Sequence, residues 1–549
     1  MQLKKKVGVL SLICMMTATG LVGCGGKKSG AVDGYTVLAN INARKAIDLC
    51  IDRQQMCDVL LANGSFPAKY FTATNFAFDE NGKDYTDLLK AAGVDAGKQD
   101  DKAAAELWAK AKEEVGFDKV ELEIITQDSE IAVKLAEFYQ AEMQEALEGC
   151  TVKVQQVPFK QQLEKQDKRD FQLSMAGWVP DYPDPLTFLD TMVTGKKYSD
   201  NTGYSNKEYD KLIDQAKNEK DQKKSWDLFA KAEKMLLDDM YFVPTYQRTT
   251  ASLTKPEVTG IVNGTFGAKQ SFKWADGKNH ELNLTEGSDI PSMDPAKATD
   301  TTSSLALNNT MDGLTRIDGE GNAVPGLAES WSTSADGLTW TFKIRQGQKW
   351  SNGDPITAGD FEYAWKRLLN PDTKSTYGWI MYDIDGAEKA NTEGGDAVDK
   401  VAVKAVDDNT LEVKLNRPVT YFDKLVFDAR FLPVDKKFVE EKGDKFGTTK
   451  DDTNYCGPFT MTTWKLEDQF AMTKNENYWD KSTVKLNKIN FKIVKDDNAR
   501  LNLYEKGDVD RIGLSSDQIA KYKNDKNLSY IKEAGVFYFE INGSGKAGK

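Results

Sequence analysis

Histidine is almost missing from this chain: His280 is the single one in 549 residues. A Ser-His-Asp relay therefore has one place to stand, and His280 sits in the polar run Gly277-Lys278-Asn279-His280 beside an expected strand, which reads as an exposed linker. Zinc and other transition metals lose their commonest ligand, and no C-x-x-C takes its place. Phosphate-cradling loops are missing as well, since neither G-x-x-x-x-G-K-[ST] nor a strand-borne G-x-G-x-x-G occurs. Carboxylates are plentiful, with 85 Asp and Glu, but that abundance strips any one pair of meaning. The expectation is a protein without metal or cofactor that is not an enzyme, a carboxylate-dependent hydrolase being the residual catalytic alternative. Positive charge is the scarcer sign, 73 Lys and Arg leaving a net charge of -12, which argues against nucleic acid as a partner.

Long apolar runs are confined to the N-terminus. Lys4, Lys5 and Lys6 precede an apolar stretch from Val7 to Val22, about 16 residues against the roughly 20 that a spanning helix needs. It ends in Leu21-Val22-Gly23-Cys24, which resembles the lipobox of bacterial lipoproteins. That resemblance implies a signal peptide over 1–24, lipidation of Cys24, a tether over 25–30, and contact with a membrane through the lipid anchor only. The remainder, roughly 520 residues, exceeds what one core serves, so two or three domains are expected.

Cysteine is sparse too. Beyond Cys14 and Cys24 there remain Cys50, Cys57, Cys150 and Cys456. A helix read over Asn42 to Leu61 would hold the first two about 10.5 Å apart at 1.5 Å per residue, against the roughly 4.4 to 6.8 Å that a disulfide spans. Four free thiols in a core follow.

From Ala103 to Tyr246 the pattern alternates helix and strand: a helix Ala103–Val115 closed by Gly116, a strand Val120–Thr126 with Val120, Leu122 and Ile124 on one face, a helix Glu130–Leu147, and strands Val152–Phe159 and Phe171–Ala176. This is α/β organisation, in which ligands sit outside the carboxyl ends of strands. After His280 hairpins take over, around Asp336-Gly337 and Asp407–Thr410, with an amphipathic helix Ala358–Leu369 capped by Thr357 between them. Trp331, Trp340, Phe342, Trp350, Phe361 and Trp365 fall at alternating or helical spacing and read as core rather than as a sugar platform. The last β-prone run, Val536–Asn542, precedes a Gly/Lys-rich tail.

The segment Gly177-Trp178-Val179-Pro180-Asp181-Tyr182-Pro183-Asp184-Pro185 sets an aromatic ring and a carboxylate on one proline-stiffened turn. Such a turn suits an amine flanked by apolar surface. Taken alone, Asp181 reads more readily as a turn residue bonded to nearby backbone.

Several motifs agree on a family. Asp289–Pro295, Gly326–Trp331, Trp350–Pro355 with Asp360-Phe361, Gly457-Pro458-Phe459, Asn477-Tyr478-Trp479, Gly507–Asp510, Ala46-Ile47-Asp48 with Ile51-Asp52-Arg53, and the Trp178 segment together resemble the oligopeptide-binding lipoproteins of bacterial ABC importers, solute-binding protein family 5. The resemblance implies an α/β, two-lobed periplasmic-binding-protein-like fold (type II, cluster C) with an extra small α+β domain. Its motifs occur here in exchanged order, so the chain looks circularly permuted: the run from Gly287 to Asn542 would come first in the family, and Ala31 to Ala275 second. On that reading lobe two is 31–249 plus 535–549, lobe one 251–311 plus 434–534, and the small domain 312–433, with strands near Val243–Gln247 and Val536–Asn542 crossing between lobes.

The resemblance also implies site residues. Asp181 matches the carboxylate that pairs with a peptide's α-ammonium, Trp178 and Phe159 match walls of side-chain pockets, and Tyr377 and Tyr538 match aromatics lining the cleft. Backbone at Gly177 and Val179, and at Thr299 and Thr301, would pair with ligand as with an added strand. Met175 stands where a well-known member carries an arginine for the ligand carboxylate, and Thr299 where a carboxylate is found. The implied partners are short peptides and the permease and ATPase subunits of an ABC transporter, with the protein a monomer. A receptor for an oligosaccharide or another small solute on the same fold, and a permuted chain with impaired binding, remain alternatives.

Overall fold

The computed structural model describes residues 32–548 apart from Glu80, Asp95, Ala96, Lys220 and Ala268. The leader, Cys24 and the tether lie outside the described residues. Among the described residues no helix is long and apolar enough to cross a membrane.

A seven-stranded mixed sheet organises one end of the molecule. Its order runs Phe66–Pro67, Phe242–Thr254, Leu528–Ile541, Leu173–Trp178, Val120–Gln127, Cys150–Val157, with Arg511–Gly513 also paired to Phe242–Thr254. Val120–Gln127 runs parallel to both of its neighbours, as the alternating helix–strand pattern requires. Val120, Leu122 and Ile124 are buried while Glu121 is exposed, and each such side chain taken from water adds about 1.5–3 kcal/mol. The helix before it, Asp101–Val115, starts where Asp100 accepts from the Ala103 N–H at 3.0 Å. It stops at Gly116, whose φ of +84° is left-handed.

Two elements depart from the sequence reading. The helix expected over Asn42–Leu61 is three pieces: Ile41–Leu49, Arg53–Gln55 and a π-helical stretch Met56–Leu61. The break comes from Asp52, which caps a new turn through Gln55 N–H at 2.8 Å. Arg53 turns inward at the same point to bond the Asp48 and Pro244 carbonyls. The single-helix spacing used for Cys50 and Cys57 therefore does not hold, yet Cys50, Cys57, Cys150 and Cys456 are all free and buried. The strand expected to reach Phe159 ends at Val157, because Pro158 breaks the ladder and Phe159 begins the helix Phe159–Asp167.

The other end carries two further sheets. Phe459–Lys465, Gln469–Lys474 and Lys488–Ile493 form an antiparallel set that Glu281–Glu286 joins in parallel. Ala328–Thr333, Thr339–Ile344, Thr410–Lys414 and Val403–Asp407 form an antiparallel set built of the two expected hairpins. The helix Ala358–Leu369 closes on it with a capping box between Thr357 and Asp360. Trp340, Phe342, Trp350, Phe361 and Trp365 are buried in this core, and Trp331 is half-buried at its edge.

The strands Phe242–Thr254 and Leu528–Ile541 join the ends. Val536 to Glu540 pair with Gln247 to Phe242, and Leu528 to Lys532 pair with Leu253 to Thr249, with an irregularity between. Phe539 and Ile541 belong to the core of the large sheet, together with Val243. Ala251 and Leu253 belong to a separate cluster with Val509 and Ile512. One antiparallel pair thus spans two cores, with a register irregularity between its halves.

Candidate functional site at the Trp178 turn

The turn follows directly from strand Leu173–Trp178. Gly177 pairs with Phe537 there, and a Cβ on Gly177 would stand 2.7 Å from the Phe537 ring, so any side chain at this position has to displace that ring. Beyond Trp178 the Pro180 carbonyl accepts from Gly267 N–H at 2.9 Å, and the Asp181 N–H donates to Thr187 Oγ1 at 3.0 Å. Asp184 Oδ1 then accepts from the Leu186 N–H at 2.9 Å, just ahead of the helix Leu186–Leu189. Backbone and side-chain bonds therefore fix both sides of Asp181.

The Asp181 side chain points away from solvent, only 7% exposed, toward the second half of the chain. Arg430 Nη2 donates to its Oδ1 at 2.7 Å and Tyr377 Oη to its Oδ2 at 3.3 Å. The same guanidinium serves Asp428, with Nη2 donating to Oδ2 at 2.6 Å. Arg430 Nε also lies 2.6 Å from Asp428 Oδ1, but off the line of a hydrogen bond. The Arg430 guanidinium lies 4.4 Å from the Tyr377 ring centre, and its Nη1 donates to Ser304 Oγ at 3.3 Å.

Two buried carboxylates thus share one cation. Burial pushes the Asp181 carboxyl up to about 7, against the pull of Arg430, and Asp428 adds to the rise. Burial also raises Asp428, against the pull of Arg430. Burial disfavours the Arg430 charge, yet Asp428 and Asp181 together hold its pKa above the usual arginine value. With both carboxyls ionised, the cluster is one positive charge short.

Of the residues expected at the site, Trp178, Asp181 and Tyr377 come together. Trp178 is buried, stacked near Tyr377 with ring centres 6.4 Å apart, and beside Tyr198 at 5.5 Å. Tyr538 is buried 6.3 Å from Tyr198, continuing this aromatic wall. Val179 and Thr301 line a separate cavity of about 300 Å³ at the crossing strands. Thr299 is half-buried in the loop before the helix Thr301–Thr310, which Asp300 caps. Phe159 and Met175 are not brought in: Phe159 is 38% exposed at the start of its helix, and Met175 packs against the core on the face of its strand opposite to Trp178. Sequence reading missed Arg430 and Asp428. The only signal was Asp428-Ala429-Arg430 itself, which nothing in the chain ties to Asp181 before folding.

Among the described residues no group of three or more His, Cys, Asp or Glu is placed to hold a metal ion. The arrangement offers buried opposite charges, an aromatic wall and an adjoining cavity, which is equipment for binding.

Comparison with known proteins fits this reading. Residues 23–200 and 322–547 match the model of the bacterial extracellular solute-binding proteins, family 5 Middle. The chain is 40% identical over 289 residues to the oligopeptide-binding protein OppA of Bacillus subtilis, covering 52% of each chain. It is 39% identical over 251 residues to the dipeptide-binding protein DppE of the same organism, covering 46% of each. A crystal structure of the substrate-binding domain of an oligopeptide ABC transporter from Bacillus anthracis is 47% identical over 45% of this chain and 48% of that one, with a TM-score of 0.44. The chain spans about half the length of the curated relatives it matches. The α/β, two-lobed fold is that of this family, and the chain belongs to the bacterial extracellular solute-binding proteins of family 5.

Proposed function

We propose that this protein is a lipid-anchored, extracytoplasmic receptor that captures short peptides and delivers them to the permease of an ABC importer. The observation that carries the proposal is the Asp181 cluster: two buried carboxylates face one guanidinium, at a turn that borders a cavity between the two crossing strands and Thr301. An α-ammonium supplies the missing positive charge, and burial makes an unpaired charge so unfavourable that the pairing selects ligands that bring one. A cavity of about 300 Å³ lies at the lower end of the range for small-molecule sites and suits a short ligand. The relatives point the same way, the two from Bacillus subtilis being an oligopeptide-binding and a dipeptide-binding protein. Val179 and Thr301 then offer backbone to the ligand, while Phe159 and Met175 contribute nothing to it in this geometry.

The exchanged order of halves belongs to the same proposal, with lobes over 31–249 plus 535–549 and 251–311 plus 434–534 and a small domain over 312–433. Three observations support it. The strand Leu528–Ile541, last in the chain, lies inside the large sheet between Phe242–Thr254 and Leu173–Trp178. A Cβ at Gly545 would be 3.6 Å from Ala39, so the tail runs beside the first described helices. The Ala275–Asp276 joint passes through ordered structure, Asp276 pairing with Thr259.

Calorimetry with tripeptides to pentapeptides, free or N-acetylated, tests the pairing. Free peptides bind, and both acetylation and Asp181→Ala abolish binding. Equal affinity for acetylated peptide would overturn the role of Asp181, and a response to oligosaccharide with none to peptide would favour a sugar receptor on the same fold.

A further inference from the structure

The cavity at the crossing strands has a charge balance opposite to that of the whole protein. Arg248, Lys269, Arg500 and Arg511 line it with only two carboxylates, Glu286 and Glu533, in a chain of net charge -12. Three of the four cations are already engaged. Arg248 Nε donates to Glu533 Oε2 at 2.7 Å, and Thr250 Oγ1 takes the other oxygen of that carboxylate. Lys269 faces Glu286 at 3.6 Å, and Arg500 bonds Asp497 at 3.2 Å and the Val494 carbonyl at 2.6 Å.

Arg511 is different. Its Nε donates to Ser252 Oγ at 3.1 Å and its Nη2 to Asn263 Oδ1 at 2.9 Å, both neutral acceptors, and among the described residues it forms no carboxylate ion pair. Burial alone pushes its pKa down to about 10. A guanidinium carries five N–H donors in a rigid fork that matches a carboxylate, and a half-buried one without a counter-ion is unfavourable until such a group arrives. The Ser252 and Asn263 bonds hold the fork in place beforehand, so little ordering remains when the anion binds.

We propose that Arg511 is an anion subsite that takes a carboxylate of the captured ligand. The subsite rests on the reading of this cavity as the ligand site. Val179 and Thr301 share the cavity with it, and Gly267, also on its wall, bonds the Pro180 carbonyl beside Asp181. A ligand lying along that wall meets surplus negative charge at the Asp181 end and surplus positive charge at the Arg511 end. The site therefore orients a zwitterion and selects against ligands that lack an acid at the far end. That acid is either the peptide's C-terminal carboxylate or an acidic side chain, and both present the same two oxygens to the fork.

Calorimetry at low salt with Ala-Ala-Ala and its C-terminal amide, and with the amides of Ala-Glu-Ala and Ala-Gln-Ala, separates the sources. In one of the two pairs the acid binds about tenfold more tightly than its neutral counterpart, as expected for a charge-assisted bidentate contact. Arg511→Met collapses that ratio, and Arg511→Lys retains part of it. Ratios near unity in both pairs, or a ratio unchanged in Arg511→Met, overturn the subsite. If none of these peptides binds, the melting temperature in acetate against acetamide decides. Stabilisation by acetate in the parent and not in Arg511→Met upholds the anion subsite while removing the peptide reading, and equal melting temperatures overturn it.

Discussion

The Asp181 cluster and the Arg511 cavity lie on either side of one turn and solve opposite problems. At Asp181 two carboxylates compete for one guanidinium, buried against Tyr377. At Arg511 a guanidinium has only neutral partners, beside open volume. The first is closed and one cation short, and the second is open and one anion short. The contrast teaches that net charge says little about a local surface: a chain at -12 lines this cavity with four cations and two carboxylates.

The largest way to break the comparison is to remove the shared cation. Arg430→Met leaves Asp181 and Asp428 buried with no guanidinium between them, and breaking a buried pair in this way costs about 3–5 kcal/mol. Chemical denaturation of the unliganded protein reads the loss directly. Adding Asp181→Asn to Arg430→Met recovers part of it, because one of the two uncompensated charges is gone. If Arg430→Met unfolds at the same denaturant concentration as the parent, the cluster is not held as described, and the contrast with Arg511 falls with it.

The comparison also shows what was legible beforehand. Asp181 stood out because prolines crowd around it, and prolines act locally, so its turn could be read from nine residues. The helix Ala358–Leu369 was legible to the residue, because Thr357, Asp360 and the apolar period all act within one turn. The break in the helix expected over Asn42–Leu61 was not: Asp52 reads as one more helical residue until its cap on Gln55 is joined by Arg53 turning inward to the Pro244 carbonyl, 191 positions away. Arg430 pairs with Asp181 across 249 positions, and Arg511 reaches Asn263 across 248. Neither arginine carries a local mark separating it from the other basic residues. Trp178, Asp181 and Tyr377, which the family resemblance implies for the site, lie together, whereas Met175, which stands where a family member carries an arginine, is turned by its strand to the other face.

A smaller effect sharpens the contrast through pH. Asp181 has a folded-state pKa of about 7, above the ordinary 3.8, so the folded protein keeps a proton that the unfolded chain has released. Its contribution to stability is most favourable below 3.8 and declines as pH rises toward about 7, beyond which it is flat. Affinity for an α-ammonium runs the other way, because only the ionised carboxylate attracts it. Well below the Asp181 pKa, each unit of acidification weakens binding by about tenfold. Calorimetry from pH 5 to 8 checks the slope, and Asp181→Asn flattens what binding remains. The acid-dependent preference at Arg511 stays constant across the same range, since that group is protonated throughout.

The smallest effect concerns what holds the turn against the other half of the chain when charge is set aside. Tyr182, next to Asp181, stacks on Tyr421 with ring centres 4.8 Å apart and planes 4° from parallel. Arg417 pairs with Asp383 and donates to the Tyr421 hydroxyl at 3.3 Å. A double-mutant cycle of Tyr182→Leu and Tyr421→Leu isolates the stacking from the area each ring buries, and about 0.5–1.5 kcal/mol of coupling is expected. Read as unfolding free energy, a coupling in that range means that the turn is clamped by an apolar contact independent of Asp181. Arg430→Met would then loosen the charge cluster without releasing the turn. A coupling of zero would mean that charge alone holds the turn, so that Arg430→Met releases it.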